Sequence, residues 1–411
     1  MTARMTPSEA QTSPPTGPST NPRLAGQRPN AIFRIGELVH GRSDITHLEF
    51  GEPNFPTPAH IIEAARASLA SERQTYGPGA GLPWLREALS ERVARVNAYA
   101  PTPQQIVVAA GGTGALMGTL HALCEAGDEV LVPDPAWPGY DMMIAAIGAR
   151  KVAYPLNAAN GWQPDLDALA AVTTPRAKAL VINSPSNPGG AVFPRETVER
   201  LVDFAARHNL WLVSDECYDQ ILFEGEHVSP ATLAPERVLT IGTCSKAYAM
   251  TGWRVGWVSA PASVAPAITL VNIASVNNLP TFVQRAAYAA LTGPQDVVGE
   301  MASEYRARRD LAVELVRERY LLEYEPHGAF YLLIPVARAC PNPDAFDSST
   351  FDSVAFGEAL VRERGIAVGP GEAFGAQTTS YARISLASSR EDLRVGITGM
   401  LDFAANYVAA K

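Results

Sequence analysis

Lysine is scarce in this chain of 411 residues: of its 33 Lys and Arg residues, only those at positions 151, 178, 246 and 411 are lysines. Arginine stays protonated and cannot act as a nucleophile, whereas lysine can lose its proton when it is desolvated or placed beside another cation. Lys151 and Lys178 each open a predicted strand, and Lys411 is the last residue. Only Lys246 lies among small polar and apolar neighbours just after a predicted strand, so it is the candidate for a covalent Schiff-base lysine.

Paired cysteines and metal-binding motifs are also missing. The four cysteines are widely separated in the chain, so we expect reduced thiols and a cytoplasmic protein. The seven histidines form no HExxH motif, and no GxSxG motif occurs. The sequence therefore offers no support for a metal site or for serine-hydrolase chemistry.

Long apolar runs and an excess of positive charge are absent as well. No apolar run reaches the roughly 18 residues of a membrane helix, and the first residues show no apolar stretch like that of a signal peptide. The formal net charge of -9 gives no electrostatic attraction to nucleic acid or to an anionic membrane. We therefore expect neither nucleic acid nor a membrane as a partner.

The pattern along the chain predicts a leader and two domains. Residues 1–28 are rich in Pro, Ser, Thr and Gly, so we expect a disordered leader. Within residues 59–295, short Val/Ile/Leu-rich runs alternate with helical patterns, which favours an α/β domain with a mainly parallel sheet between helices. In residues 296–411, a long Arg/Glu-rich helix followed by strands predicts a smaller α+β domain that closes over the first.

Polar clusters follow four of the predicted strands. Such sheets bind ligands at the carboxyl ends of their strands, so the four clusters are expected to converge on one crevice. The clusters are Gly111–Gly114, Asn183–Pro188, Asp215–Tyr218 and Thr243–Lys246.

The cluster Gly111–Gly114 joins a strand to a helix, where free backbone N–H groups and the helix dipole could hold a phosphate. An ordinary tight turn explains the same residues equally well. The dinucleotide fingerprint G-x-G-x-x-G requires a third glycine, but Met117 occupies that position. A nicotinamide enzyme is therefore a poor fit.

Asp215 and Trp137 each have both a structural and a functional interpretation, and Tyr218 has a functional one. Asp215 ends an apolar strand; it could cap a helix, or it could face a heterocycle and keep a ring nitrogen protonated. Tyr218, three residues later, would lie on the same side of a helical turn and could donate to the same ring. Trp137 lies at a strand end, where its ring could stack on a flat ligand or simply anchor the core.

Two arginines occupy positions where a simple surface role does not account for them. Arg254 follows Lys246 by eight residues and would suit bidentate binding of a phosphate or a carboxylate. Arg383 starts the apolar strand Ile384–Leu386, where an arginine without a partner is seldom buried. Both are candidates for anion binding.

Together these clusters resemble the class I/II aminotransferases of the aspartate aminotransferase type, which are fold type I enzymes that use pyridoxal 5'-phosphate. The resemblance runs from about residue 30 to the C-terminus, and seven motifs follow the family's order. The motifs are Gly51–Phe55, Tyr76–Pro83, Asn183–Pro188, Ser214–Tyr218, Ser245–Gly256, Gly328–Tyr331 and Arg383–Ser385.

The resemblance implies a fold and an assembly. It implies a large domain, residues 59–295, in which a mainly parallel seven-stranded sheet between helices binds pyridoxal 5'-phosphate. Residues 29–58 would join the smaller α+β domain formed by residues 296–411. The family's homodimer, with active sites shared between the subunits, is also expected.

The resemblance further implies a role for each candidate residue. Lys246 would hold pyridoxal 5'-phosphate as a Schiff base and act as the general base, and Asp215 would pair with the pyridinium nitrogen. Tyr218 and Asn187 would bind the ring oxygen, and Trp137 would stack on the ring. The groups expected to bind the phosphate belong to Gly112, Thr113, Thr243, Ser245, Arg254 and, from the partner subunit, Tyr76. The substrate α-carboxylate would be bound by Arg383, helped by Asn187 and the backbone of Gly51, and Trp137 would lie against the substrate.

The expected activity is transfer of an amino group between an L-amino acid and a 2-oxo acid. A β/γ-elimination or replacement enzyme on the same fold shares nearly every cofactor residue and remains an alternative, as does a ligand-sensing binding protein. Some bacterial relatives that use aspartate and glutamate carry a lysine where this chain has Thr113, although an arginine such as Arg285 could replace it. Aromatic, aliphatic and specialised amino acids therefore stay open as substrates.

Overall fold

The computed structural model describes residue 21 and residues 30–319, 321–341 and 350–407; apart from residue 21, the predicted leader up to residue 28 lies outside them. The strands are β1 (Thr46–Leu48), β2 (Ile106–Ala109), β3 (Glu129–Asp134), β4 (Arg150–Asn157), β5 (Gln163–Pro164), β6 (Ala177–Asn183), β7 (Trp211–Asp215), β8 (Val238–Thr243), β9 (Gly256–Ser259), β10 (Tyr331–Ile334), β11 (Ile366–Pro370) and β12 (Ala382–Ser385). The α-helices are α1 (Ala31–Val39), α2 (Ala59–Ser71), α3 (Pro83–Asn97), α4 (Gly111–Leu123), α5 (Gly139–Ile147), α6 (Leu166–Val172), α7 (Arg195–Arg207), α8 (Ala265–Val276), α9 (Thr281–Thr292), α10 (Asp296–Arg317), α11 (Ser353–Arg364) and α12 (Arg390–Ala404).

The larger sheet has the strand order β2-β9-β8-β7-β6-β3-β4-β5. Strands β8, β7, β6, β3 and β4 are parallel to their neighbours within this group, whereas β9 is antiparallel to both β2 and β8. The predicted α/β class is therefore confirmed. The sheet has one strand more than the seven expected, because the two-residue strand β5 pairs with the edge of β4. Gln163 and Pro164 carry no strand signal, and proline is tolerated at such an edge.

Burial on both faces explains the apolar composition of the central strands. Every residue of β2, β3, β8 and β9 is buried. One face packs on a cluster that includes helices α4 and α5. The opposite face is covered by apolar side chains of other helices. Removing apolar surface from water on both faces stabilises the sheet and leaves its strand ends as the places where polar side chains gather.

The smaller sheet has the order β1-β11-β12-β10. Strand β1 precedes the larger sheet in sequence but pairs in parallel with β11, near the other end of the chain. Strand β12, which carries Arg383, is antiparallel to β10 and β11. We propose that residues 59–295 form the large domain and that residues 29–58 and 296–411 form the small one.

The parallel strands of the larger sheet bring the predicted polar clusters together. Asn183 at the end of β6 lies opposite Asp215 at the end of β7, and β8 ends next to them at Thr243. Within the described residues, no helix is long and apolar enough to cross a bilayer.

Candidate active site

A cavity of about 290 Å³ lies at the carboxyl ends of these strands. Twelve of the thirteen residues predicted for the site line it, and Tyr76 is the exception because its side chain is 85% exposed at the surface. The twelve are Gly51, Gly112, Thr113, Trp137, Asn187, Asp215, Tyr218, Thr243, Ser245, Lys246, Arg254 and Arg383.

Lys246 lies just beyond the end of β8, and its amine is held inside the cavity. Its Nζ donates a hydrogen bond of 2.8 Å to the carbonyl oxygen of Gly51. The rings of Tyr218 and Phe330 lie 5.9 and 5.8 Å from the same nitrogen. Desolvation lowers the pKa of Lys246 to about 8, and the nearby guanidinium groups of Arg383 and Arg254 act in the same direction. The amine can therefore become a neutral nucleophile near physiological pH.

Asp215 is a buried carboxylate at the end of β7. It accepts hydrogen bonds from the hydroxyl of Tyr140 at 2.6 Å and from the backbone N–H of Cys217 at 3.2 Å. Burial raises the pKa of Asp215, and no basic side chain of the described residues forms a salt bridge with it. A buried carboxylate is stable when a cation is close. The arrangement thus suits a cationic ring nitrogen in the cavity.

Arg254 and the start of helix α4 form an anion-binding corner. Arg254 has a left-handed φ of 56°, and its guanidinium donates to the carbonyl oxygens of Thr251 at 2.7 Å and Ala110 at 3.4 Å. Gly111 has a φ of 77°, and a Cβ added there would lie 2.6 Å from Nη2 of Arg254. Only glycine therefore allows the guanidinium to reach the first turn of α4, where free backbone N–H groups attract anions.

Hydroxyl groups complete this corner. The hydroxyl of Thr243 donates to that of Ser245 at 2.8 Å, and both side chains line the cavity with Gly112 and Thr113. Hydroxyls, backbone N–H groups and a guanidinium that forms no salt bridge within the described part of the chain match the oxygens of a phosphate. The residues predicted for phosphate binding within one subunit are therefore brought together.

Arg383, on strand β12, also lines the cavity. It is buried between the rings of Tyr331 and Phe374, which lie 4.4 and 4.5 Å from its guanidinium carbon. It donates to the side-chain oxygen of Asn187 at 3.0 Å and to the backbone oxygen of Glu49. Its Nε has no hydrogen-bond partner among the described residues, so the guanidinium keeps donor capacity for a carboxylate.

Tyr331 connects several of the predicted residues, although it was not itself predicted. Its hydroxyl lies 2.8 Å from that of Tyr218, and a Cβ at Gly51 would overlap it. Gly51 therefore permits the close approach of Tyr331, and its carbonyl oxygen accepts the hydrogen bond of the Lys246 amine. The motif Gly328–Tyr331 contained the signal for this residue.

Trp137 both lines the cavity, where its ring could stack on a ligand, and packs against the core. Its ring lines the cavity and packs edge-on against Tyr140, with centroids 5.4 Å apart at an angle of 87°. It also packs against the core cluster on one face of the larger sheet. Tyr140, which links this ring to Asp215, carries no signal in the sequence.

Arg285 does not reach the cavity of its own subunit. It forms a salt bridge with Glu72 at 2.6 Å, and its guanidinium lies 4.1 Å from the ring of Trp84. The suggestion that Arg285 could replace a substrate-binding lysine is therefore wrong within one subunit, since Glu72 already neutralises its charge.

A buried charged network supports the turn that carries Asp215 and Tyr218. Arg92 forms two hydrogen bonds with Asp219, at 2.7 and 2.8 Å, and Asn97 donates to both Asp219 and Glu216. Burial opposes ionisation of Asp219, but the guanidinium of Arg92 keeps its pKa below the usual value. Because all four side chains are buried and paired, the turn has little freedom to shift.

Comparison with known proteins shows which family this chain resembles over most of its length. Residues 43–399 match the family described as aminotransferase class I and II. The aspartate/prephenate aminotransferase of Thermus thermophilus is 40% identical over 90% of this chain and 95% of that protein. The arginine–pyruvate transaminase of Pseudomonas aeruginosa is 37% identical over 88% of this chain and 90% of that protein. The structure of Thermus thermophilus aspartate aminotransferase with maleate superposes with a TM-score of 0.87 and 38% identity, covering 94% of this chain and all of that one.

Proposed function

This chain belongs to the class I and II aminotransferases and is an amino-acid transaminase, and we propose that it works with pyridoxal 5'-phosphate bound at Lys246. The observation that carries the proposal is the meeting of four charged side chains in one cavity. These are Asp215, Lys246, Arg254 and Arg383.

The donors and acceptors of the cavity fit the proposed cofactor. The Arg254 corner offers donors to a phosphate, and Asp215 offers a buried carboxylate to a protonated ring nitrogen. Tyr218 offers a hydroxyl beside the Lys246 amine, and Trp137 offers an aromatic ring at the cavity wall. Pyridoxal 5'-phosphate, when bound, supplies an aldehyde carbon that amines attack and an electron-poor ring that accepts the electron pair of a broken bond.

The chain's own residues would then position the substrate and move its proton. Arg383 would bind the α-carboxylate through two N–H groups, with Asn187 fixing the orientation of the guanidinium. The neutral Nζ of Lys246 would accept the proton from the substrate α-carbon and return it during the exchange of amino and oxo groups. Asp215 would keep the proton on the ring nitrogen, since a buried carboxylate favours a cation beside it.

The surface around Tyr76 supports the homodimer that we propose. Leu270, Ile273 and Val276 of helix α8 are 68%, 45% and 43% exposed, and a Cβ at Gly79 would overlap Ile273. The loop that carries Tyr76 therefore packs beside an apolar surface. Such a surface suits an isologous dimer, in which each Tyr76 would reach the phosphate in the partner's cavity.

A half-reaction tests the function. The purified enzyme with bound cofactor is mixed with an L-amino acid and no acceptor, and both 2-oxo acid and ammonia are measured. We expect one 2-oxo acid per site at most, no ammonia, a change in cofactor absorbance, and reversal of that change when a 2-oxo acid is added. Continuous release of 2-oxo acid with ammonia would instead indicate elimination, and the absence of any reaction with a panel of amino acids would contradict the proposal.

The pKa of Lys246 predicts how the cofactor-free protein reacts with an amine reagent. An ordinary lysine has a pKa of about 10.4, whereas that of Lys246 is lowered to about 8. The neutral fraction of this amine, and with it the rate of acylation at position 246, should rise through a midpoint near pH 8 and level off above it. Peptide mapping after short labelling times measures the rate, with N-acetyl-lysine amide as the reference. A rate at position 246 that rises in parallel with the reference up to pH 10 would contradict the lowered pKa.

A further inference from the structure

The charged groups of the cavity are fully used by the proposed function. Among the described residues that line it, only Asp215, Lys246, Arg254 and Arg383 carry charge. In the proposed arrangement, the first three bind or react with the cofactor and Arg383 binds the substrate α-carboxylate. No charged side chain of the described lining is left for the far end of a substrate.

The rest of the lining includes an apolar wall. Its members come from helix α1, the segment before Gly51, and helices α4 and α5, and three of them are more than 40% exposed although they are large. We define the apolar wall as Ile32, Phe33, Phe50, Leu116 and Met142.

Packing holds the first turn of α1 beside Arg383. The side chain of Asn30 accepts a hydrogen bond from the N–H of Ile32 and donates one of 2.8 Å to the carbonyl oxygen of Ala373. Ile32 packs on Ala373 and Phe374, and Phe374 stacks on the Arg383 guanidinium. The part of the apolar wall that lies on α1 is thus held next to Arg383, which is proposed to bind the substrate carboxylate.

Phe50 is fixed against the same helix. A Cβ at Gly36 would lie 2.7 Å from Cζ of Phe50, so the ring rests directly on the backbone of α1. The ring is 43% exposed and lines the cavity. Phe50 is therefore packed on α1 and still presents part of its ring to the cavity.

We propose that the amino acids and 2-oxo acids used by this enzyme carry a large, uncharged, apolar side chain that packs against the apolar wall. The inference rests on the proposed function, because Arg383 must orient the substrate toward the wall. Binding of an apolar side chain is stabilised because its surface and that of Phe33, Phe50 and Met142 are removed from water. A distal carboxylate or ammonium group would lose its hydration there and find no ionic partner in the described lining of this subunit.

Competition between amino donors tests the inference. We expect kcat/KM for L-phenylalanine or L-leucine to exceed that for L-aspartate by about 10-fold or more, the range found for matched and mismatched side chains in apolar pockets. Binding without turnover gives an independent measurement. The Kd of 3-phenylpropionate for the enzyme with bound cofactor should be about 10-fold or more below that of succinate.

Helix α1 offers a matched pair of variants. Phe33 and Leu38 are 43% and 40% exposed, but only Phe33 lines the cavity. We expect Phe33→Ala to lower kcat/KM for L-phenylalanine about 10-fold and to lower that for L-alanine, which has a much smaller side chain, far less. Leu38→Ala should alter neither value. Phe33→Arg should raise the ratio of the aspartate to the phenylalanine kcat/KM.

The outcomes separate this inference from the proposed function. A preference for aspartate, glutamate or arginine would overturn the inference, and so would equal effects of Phe33→Ala and Leu38→Ala, while transamination itself would stand. Failure of every amino acid in the half-reaction would overturn the proposed function and the inference with it.

Discussion

Replacement of Lys246 by alanine is expected to lower kcat by about 10⁴-fold or more, because it removes both the amine that would bind the cofactor and the base that would move the substrate proton. Within the described residues, the side chain makes one hydrogen bond, to the carbonyl oxygen of Gly51, so the fold should survive its loss. Single-turnover formation of 2-oxo acid measures the effect. Borohydride reduction followed by peptide mapping should find the cofactor on Lys246 in the natural protein and on no residue of the variant.

Two companion variants identify the property of Lys246 that matters. Lys246→Arg keeps the positive charge but cannot supply a neutral amine, so we expect it to be as inactive as Lys246→Ala. Lys151→Ala is the matched control, because Lys151 pairs with Asp141 and does not line the cavity. It should retain full activity. Substantial turnover by Lys246→Arg would show that the charge suffices, and cofactor retained covalently by Lys246→Ala would contradict the assignment.

The larger sheet could be predicted because its signal is local. Short, mostly apolar strands such as Val238–Thr243 are recognised from their own residues, and the parallel arrangement follows from the helices between them. The position of Lys246 just after such a strand therefore indicated the cavity. Strand β5 has no comparable pattern, since Gln163 and Pro164 form a strand only by pairing with β4.

Contacts between segments that are far apart in the sequence could not be predicted from local sequence patterns. The hydrogen bond between Arg383 and Asn187 joins residues 196 positions apart, and it was expected only through the family resemblance. Tyr140 and the apolar wall belong to no motif, so their approach to Asp215 and Arg383 depends on how helices α5 and α1 pack. Sequence periodicity assigns such residues to a helix face without showing what that face meets.

Replacement of Arg383 by alanine should also strongly reduce activity, by weakening substrate binding. The guanidinium is buried, stacked between two rings and bonded to Asn187, and loss of one partner from a buried charge pair lowers affinity by about 10²- to 10³-fold. We expect Arg383→Ala to lower kcat/KM for L-amino acids by that factor, mainly through KM, while the absorbance of bound cofactor is retained. Arg383→Lys should be intermediate, because lysine keeps the charge but loses the bidentate geometry.

Comparison of an amino acid with the corresponding amine, which lacks the α-carboxylate, tests whether Arg383 binds that carboxylate. The natural enzyme should strongly prefer L-phenylalanine to 2-phenylethylamine, which differs only in lacking the α-carboxylate. In Arg383→Ala this preference should nearly vanish, since the amine has no interaction to lose. Arg390→Ala, which breaks an exposed pair with Glu304 on the same domain, should leave the preference unchanged. An Arg383→Ala variant that folds, binds cofactor and still discriminates as the natural enzyme does would mean that another group binds the carboxylate.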